Sequence, residues 1–188
     1  FEDRAGRSWH LDTYVRMAGR TIAGQAAVQG ELDSLASQGR DLVIISDSPR
    51  ECELCRPWEG LLLSITGQTP VGTTVDGRRV RGTVADARAA GVWHPNCTHR
   101  ADPYTPGLTV KAAPKRDPDG YKAQQRLRQL ERGARELKRR RNAAQVIGDK
   151  PMIRKLNASI TEQGRRIVAH TKETGLLRHR DREKPYGG

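Results

Sequence analysis

Aromatic residues are scarce in this chain of 188 residues: one Phe, three Trp and four Tyr, together 4%. Hydrophobic residues reach only 35%, below the usual share of a globular chain. With so little bulky apolar volume, a single large core is not expected, although the length suffices for one typical domain or two small ones. No run of about 18 apolar residues occurs, so no helix of the kind that crosses a membrane is expected. No charged–apolar–small leader opens the chain either. The first residue is Phe1 rather than Met, which suggests a fragment or a processed product with a portion upstream.

Lysine is missing from the first 110 residues. They hold 12 Arg against 13 Asp and Glu, a net of −1, whereas residues 111–188 hold 22 Lys and Arg against 9 acids, a net of +13. The whole excess behind the net charge of +12 therefore lies in the second part. Such asymmetry points to a polyanion near that part, with a solvated basic helix as the bland alternative.

Several catalytic patterns are absent. There is no H-x-E followed by P-C-x-x-C, as a zinc deaminase needs, and the C-x-x-C here precedes the histidines instead of following them. There is no H-E-x-x-H, no phosphate-cradling Gly-rich loop and no nucleophile elbow.

Cysteine is also rare, but the three that occur are informatively placed. Cys52-x-x-Cys55 is followed far along the chain by His94-Pro95-Asn96-Cys97-Thr98-His99. An odd count, with two in a C-x-x-C and the third flanked by histidines, reads as metal ligation before disulfides, in a chain made in a reducing compartment. Structural zinc takes four tetrahedral Cys or His ligands. A C-x-x-C turn presents two sulfurs on one side, so the ligands expected are Cys52, Cys55, Cys97 and one of His94 or His99. His94-x-x-Cys97 has the spacing of a second knuckle; Cys97-x-His99 is tighter. The histidine left over is free to hydrogen-bond a ligand from behind or to cap a turn. The cysteines as mere small buried hydrophobes are the competing reading. A redox role is disfavoured, because no thioredoxin-like context precedes the motif and Glu51 and Glu53 oppose a thiolate. Trp58 and Trp93 bracket the two halves and are expected to pack over the site. A closed four-ligand site leaves no position for catalytic water. The alternative is a zinc-dependent nucleic-acid enzyme or toxin effector of nuclease type, using the spare histidine, Asn96 and the basic helices.

Periodicity supplies the frame. Val15, Ala18, Ile22, Ala26, Leu32 and Leu35 recur at near-helical spacing, with Ser8 or Asp12 as cap, slips at Gly24 and Gly30 that suggest a break or kink, and Gly39 as stop. The apolar β-branched run 41–46 and the run 61–66 read as strands. Residues 71–82 read as a hairpin turning at Asp76-Gly77. Thr83-Val84-Ala85-Asp86 resembles a capping box opening a short helix that Gly91 ends. Residues 111–119 have linker composition. Beyond them Leu127, Leu130, Ala134, Leu137, Arg141 and Ala144 form a heptad stripe on a helix of about 26 residues, or about 39 Å. Gly148-Asp149-Lys150-Pro151 stops that helix and starts another, whose Ile153, Leu156, Ile160 and Ile167 share a face. A two-helix hairpin is marginal alone and is expected to lie against a neighbouring subunit or nucleic acid. Arg135, Lys138, Arg139, Arg140, Arg141, Arg165 and Arg166 are the expected phosphate contacts, salt-dependent and sequence-blind.

The fold class expected is thus α+β: a small zinc-stapled N-terminal domain (residues 1–110) with a long N-terminal helix and short strands. A linker (111–119), a basic antiparallel helical hairpin (120–175) and a charged extended tail (176–188) follow.

These motifs carry a resemblance. Tyr14-Val15-Arg16-Met17-Ala18-Gly19-Arg20-Thr21, the strand 41–46, Cys52-Glu53-Leu54-Cys55-Arg56-Pro57-Trp58-Glu59-Gly60, Leu63-Ser64-Ile65-Thr66-Gly67, the His94–His99 segment and Pro103-Tyr104-Thr105-Pro106-Gly107 together resemble the phage minor capsid protein 2 family. The second half-site also resembles the H-P-N-C-R-C segment of Mu F-like head morphogenesis proteins. The likeness covers residues 8–110 closely. The hairpin looks like the C-terminal extension of such proteins in phages of actinobacteria, with Thr174-Gly175-Leu176 and Asp181-Arg182-Glu183 as recurring pieces. Thr98 stands where the family often has Arg, and His99 where Mu F-like relatives often have Cys; a Cys-to-His exchange fits a metal ligand and so points to His99. The resemblance implies a non-enzymatic structural component of a tailed-phage head, made in the host cytoplasm and located in the virion at the head or portal vertex. The partners it implies are the portal or major capsid protein and, for the hairpin, packaged double-stranded DNA.

Overall fold

The computed structural model describes residues 2, 6, 8–109 and 115–185. Two compact units result, Phe1–Pro118 and Asp119–Gly188.

In the first unit, helix α1 spans Leu11–Ser37. It runs unbroken through Gly24 and Gly30, where the sequence suggested a break: a glycine weakens a helix by about 1 kcal/mol without stopping it. His10 occupies the N-cap position and makes no side-chain capping bond, so Ser8 is not the cap; the Asp12 side chain lies outside the described residues. Gly39 ends the helix region at φ 71°, a conformation that costs glycine nothing. The core-facing positions of α1 are Val28, Leu32 and Leu35, whereas Val15 and Ile22, grouped with Leu32 and Leu35 by spacing, are 58% and 65% exposed.

Five strands form one mixed sheet in the order β3-β4-β2-β1-β5. They are β1 Leu42–Ile45, β2 Leu62–Ser64, β3 Thr74–Val75, β4 Arg78–Thr83 and β5 Ala101–Pro103. Strand β1 pairs antiparallel with both β2 and β5, β4 pairs parallel with β2, and β3–β4 is the expected hairpin. Its turn sets Asp76 and Gly77 at φ 49° and 72°, the left-handed pair that suits a two-residue hairpin. The strand β5 has no alternating pattern in the sequence and was not foreseen.

The pleat divides the apolar side chains between two faces. Val43, Ile45 and Leu63 pack with Val28, Leu32 and Leu35 of α1, with Val84 and Ala87, and with Val92 and Trp93. Ile44, Leu62 and Val80 form a smaller cluster with Tyr104 on the opposite face. Both faces of β1 are therefore covered, which is why its sequence is continuously apolar. Helix α2, Val84–Ala89, opens with the complete capping box: Thr83 accepts from the Asp86 amide, and Asp86 accepts from the Thr83 amide.

The second unit is built on helices α3 Pro118–Val146 and α4 Lys150–Thr174. Gly148 lies at φ 74°, and Asp149 caps α4 by accepting from the Met152 amide at 2.9 Å. Gln163 donates to the Leu130 carbonyl and His170 to the Ala123 carbonyl, each at 2.8 Å. The two bonds step by seven residues in opposite directions along the helices, one antiparallel register. Leu127, Leu130, Ala134 and Ile167 are buried between them. Where an extended tail was expected, Arg180–Glu183 form a 3₁₀ turn, and the buried Glu183 pairs with Arg178 at 2.6 Å.

Candidate metal centre

The two halves of the Cys/His motif come together because their loops leave the same end of one strand pair. Ile45 of β1 stands opposite Ala101 of β5 in antiparallel register. Just beyond, the Ser46 amide donates to the Arg100 carbonyl (2.9 Å) and the Arg100 amide to Ser46 Oγ (2.8 Å). The loop after β1 carries Cys52 and Cys55, and the loop before β5 carries His94, Cys97 and His99.

Each loop is turned sharply. In the first, the Arg56 amide donates to the Cys52 carbonyl at 3.0 Å, closing one helical turn that places both sulfurs on one side. In the second, the Cys97 amide donates to the His94 carbonyl at 2.9 Å, and Asn96 stands at φ 65°, a conformation Asn tolerates well. Trp93 is also left-handed, at φ 62°, although it is a bulky residue.

All five expected donors converge. Cys52, Cys55 and His94 form one trio, and Cys55, Cys97 and His99 a second; within each, the donor atoms lie within 4.8 Å of one another. Cys55, which belongs to both, is fully buried. Cys55 Sγ is 3.7 Å from Cys97 Sγ, and Cys97 Sγ is 3.4 Å from His99 Nδ1. Cys52 Sγ is 3.0 Å from His94 Nε2, while His94 Nδ1 is 2.9 Å from the Pro95 carbonyl. The three cysteines are free thiols.

The electrostatics follow from this crowding. The hydrogen bond with Cys55, assisted by His99, holds Cys97 well below the usual thiol range. The same contact and burial push Cys55 up. Burial alone would lower His99, but its bonds to Cys97 and Glu59 outweigh that and raise it. The thiolate is the form of cysteine that ligates metals, so this cluster has the chemistry to hold an ion.

Sequence reasoning missed the part played by two buried carboxylates of the first loop, of which Glu59 touches a site residue. Glu59, buried in the first loop, accepts from His99 Nε2 at 2.6 Å and from the Ser48 amide at 3.0 Å. Glu51, also buried, receives Arg56 Nε at 2.7 Å and the Asp117 amide at 3.1 Å. Nothing in the local sequence separates either from the exposed Glu53. Trp58 and Trp93 do pack in the core cluster that holds Cys55, with Cys52 and Cys97 against it.

The seven basic residues expected at an anion surface fare differently. Arg135 donates to the Arg182 carbonyl and Lys138 to the Glu183 carbonyl (3.0 Å), so these two dock the 3₁₀ turn on α3. Arg141 bonds Asn142 at 2.9 Å with its Nε buried. Arg139 lies 3.7 Å from Glu136, and Arg165 and Arg166 lie 3.5 and 3.4 Å from Glu162. Arg140 is exposed.

Fold and site thus define a class: an α+β protein with a Cys/His cluster that could hold a metal ion, followed by a basic helical pair. The chain belongs to the family described as phage minor capsid protein 2, which matches residues 1–172 and so takes in most of the hairpin. A curated relative, a structural protein of Lactococcus phage LL-H, is 27% identical over 197 aligned positions covering 98% of this chain and 51% of the relative. The chain therefore spans about half the length of that relative. No solved structure matches.

Proposed function

We propose that this chain is a structural, non-enzymatic minor capsid component of a tailed-phage head, whose N-terminal unit is stapled by zinc. Membership of the minor capsid family carries the virion role; the convergence of three sulfurs and two imidazoles at one end of a strand pair carries the zinc. Bonds of about 2.3 Å to sulfur and 2.0 Å to nitrogen at tetrahedral angles set two sulfurs about 3.8 Å apart and a sulfur and a nitrogen about 3.5 Å apart. The Cys55–Cys97 and Cys97–His99 distances, 3.7 and 3.4 Å, match that spacing. The ligand set of this reading is Cys52, Cys55, Cys97 and one histidine; His99, which shares a trio with Cys55 and Cys97, is the one favoured, with His94, in the trio of Cys52 and Cys55, as the alternative. Zinc so held supplies folding free energy, because its ligands lie on segments far apart in sequence.

The hairpin faces packaged double-stranded DNA through Arg139, Arg140, Arg141, Arg165 and Arg166, and the chain is seated against the portal or major capsid protein. Phosphate contacts of this kind are read by salt. Replacing Arg140, Arg165 and Arg166 by Gln should lower the slope of log affinity for duplex DNA against log salt by about 1 per residue. An unchanged slope would assign the hairpin to a protein partner. Metal analysis of the purified chain together with a nuclease assay tests the remainder: stoichiometric zinc without cleavage is expected, and cleavage lost in His94→Ala would favour an enzyme.

A further inference from the structure

Resting on the zinc reading above, we propose that Glu59 is the positioning residue of the centre, fixing His99 so that Nδ1 is the nitrogen presented to the ion. Three observations carry it.

The first is the bond itself. His99 Nε2 lies 2.6 Å from Glu59 Oε1, and both residues are 5% exposed. An ionised carboxylate can only accept, so Nε2 must carry the hydrogen and, in the neutral ring, the lone pair sits on Nδ1. Nδ1 is the atom 3.4 Å from Cys97 Sγ, beside Cys55. A carboxylate behind a ligating imidazole sets its tautomer and ring orientation and raises the basicity of the metal-facing nitrogen.

The second is what Glu59 lacks. Its Oε2 is buried without a hydrogen-bond partner, while the neighbouring cation Arg56 is directed to Glu51. A buried carboxylate left half-satisfied is costly, and packing alone would be served better by a neutral side chain. A cationic ion one imidazole away supplies the charge that answers it.

The third is placement. Glu59 lies in the loop that carries Cys52 and Cys55, whereas His99 lies in the other loop. The same Oε1 receives the Ser48 amide at 3.0 Å, and Ser48 Oγ and Thr98 Oγ1 are 3.0 Å apart. Glu59 therefore links the two half-sites and aims the ligand at once.

The test uses the full chain titrated with zinc. Long-range 1H–15N correlation spectra of the zinc-loaded protein should show His99 protonated on Nε2 with Nδ1 carrying the metal-bound shift. Competition with a chromophoric chelator should show zinc held about 10-fold more weakly by Glu59→Gln and about 100-fold more weakly by Glu59→Leu. Stoichiometric zinc with coordination through His99 Nε2, or with both variants binding as tightly as the parent chain, overturns the role of Glu59 and leaves the zinc reading standing. A parent chain that takes up no zinc overturns both. The tautomer measurement needs no variant, so it decides the matter even if Glu59→Leu fails to fold.

Discussion

The two units bury apolar surface by different means. The first assembles short pieces from distant parts of the chain: α1, five strands of two to six residues, and two loops that meet at the sulfurs. The second needs only one antiparallel register between neighbouring helices, held by Leu127, Leu130, Ala134 and Ile167 and by two side-chain bonds to backbone carbonyls. Non-local assembly must overcome more loop-closure entropy before its contacts reward it. The difference teaches why a cross-link between distant loops, as the zinc proposal supplies, would matter most in the first unit. Charge divides the same way, near neutral before residue 111 and net +13 after it.

Removing the cross-link should break the comparison most strongly. Cys55→Ser, or a strong chelator, is expected to lower the melting temperature of the first unit by about 10 °C or more while the helical signal of the hairpin persists. Equal thermal stability with and without chelator would make the units alike and sink the staple.

Next in size is Ile167→Ala, at a side chain with no exposure, in a unit with few such residues. A loss of about 3 kcal/mol, read by denaturant unfolding of the helical signal, is expected. A loss under 1 kcal/mol would mean that the hairpin seam is not what holds the second unit.

A smaller effect belongs to Asp41, at the start of β1. Its carboxylate receives Ser64 Oγ, the Thr66 amide and hydroxyl, and the Thr69 amide at 2.7–2.8 Å. Burial would raise its pKa, but these bonds together hold it well below the ordinary carboxylate range. The stability this confers is present above the unfolded value of about 4 and is lost as pH falls through the depressed folded value. Asp41→Asn is expected to cost about 2 kcal/mol at pH 7 and to flatten the acid limb of the first unit's stability profile. An acid limb identical to that of the parent chain would count against it.

The smallest effect is expected at Thr83→Ala, which opens the capping box of α2. About 1 kcal/mol should be lost, again only in the first unit.

Much of this was legible in the sequence where the governing interaction is local. The hairpin turn at Asp76-Gly77, the capping box at Thr83, the stop at Gly148 and the Asp149 cap all rest on neighbours within a few residues. The heptad stripe and the C-x-x-C spacing are local too. What stayed hidden depends on partners far away. Strand β5 exists because β1 offers it an edge, and its own residues, Ala101-Asp102-Pro103, have poor strand character. Glu59 looks like any loop glutamate until His99, 40 residues on, is placed against it. Arg135 and Lys138 look like a basic surface until the 3₁₀ turn presents carbonyls to them. Helical spacing grouped Val15 and Ile22 with Leu32 and Leu35, but the sheet covers only the later turns of α1.

From its order of residues alone, this protein determined most of its helices and turns, its division of charge and the five Cys and His residues of the cluster, because periodicity, turn chemistry and ligand type are written in short stretches. Only the tertiary structure decided which loops meet, which carboxylate stands behind which histidine and which cations remain on the surface. Those choices depend on strand register and on the desolvation of groups brought together from separate segments.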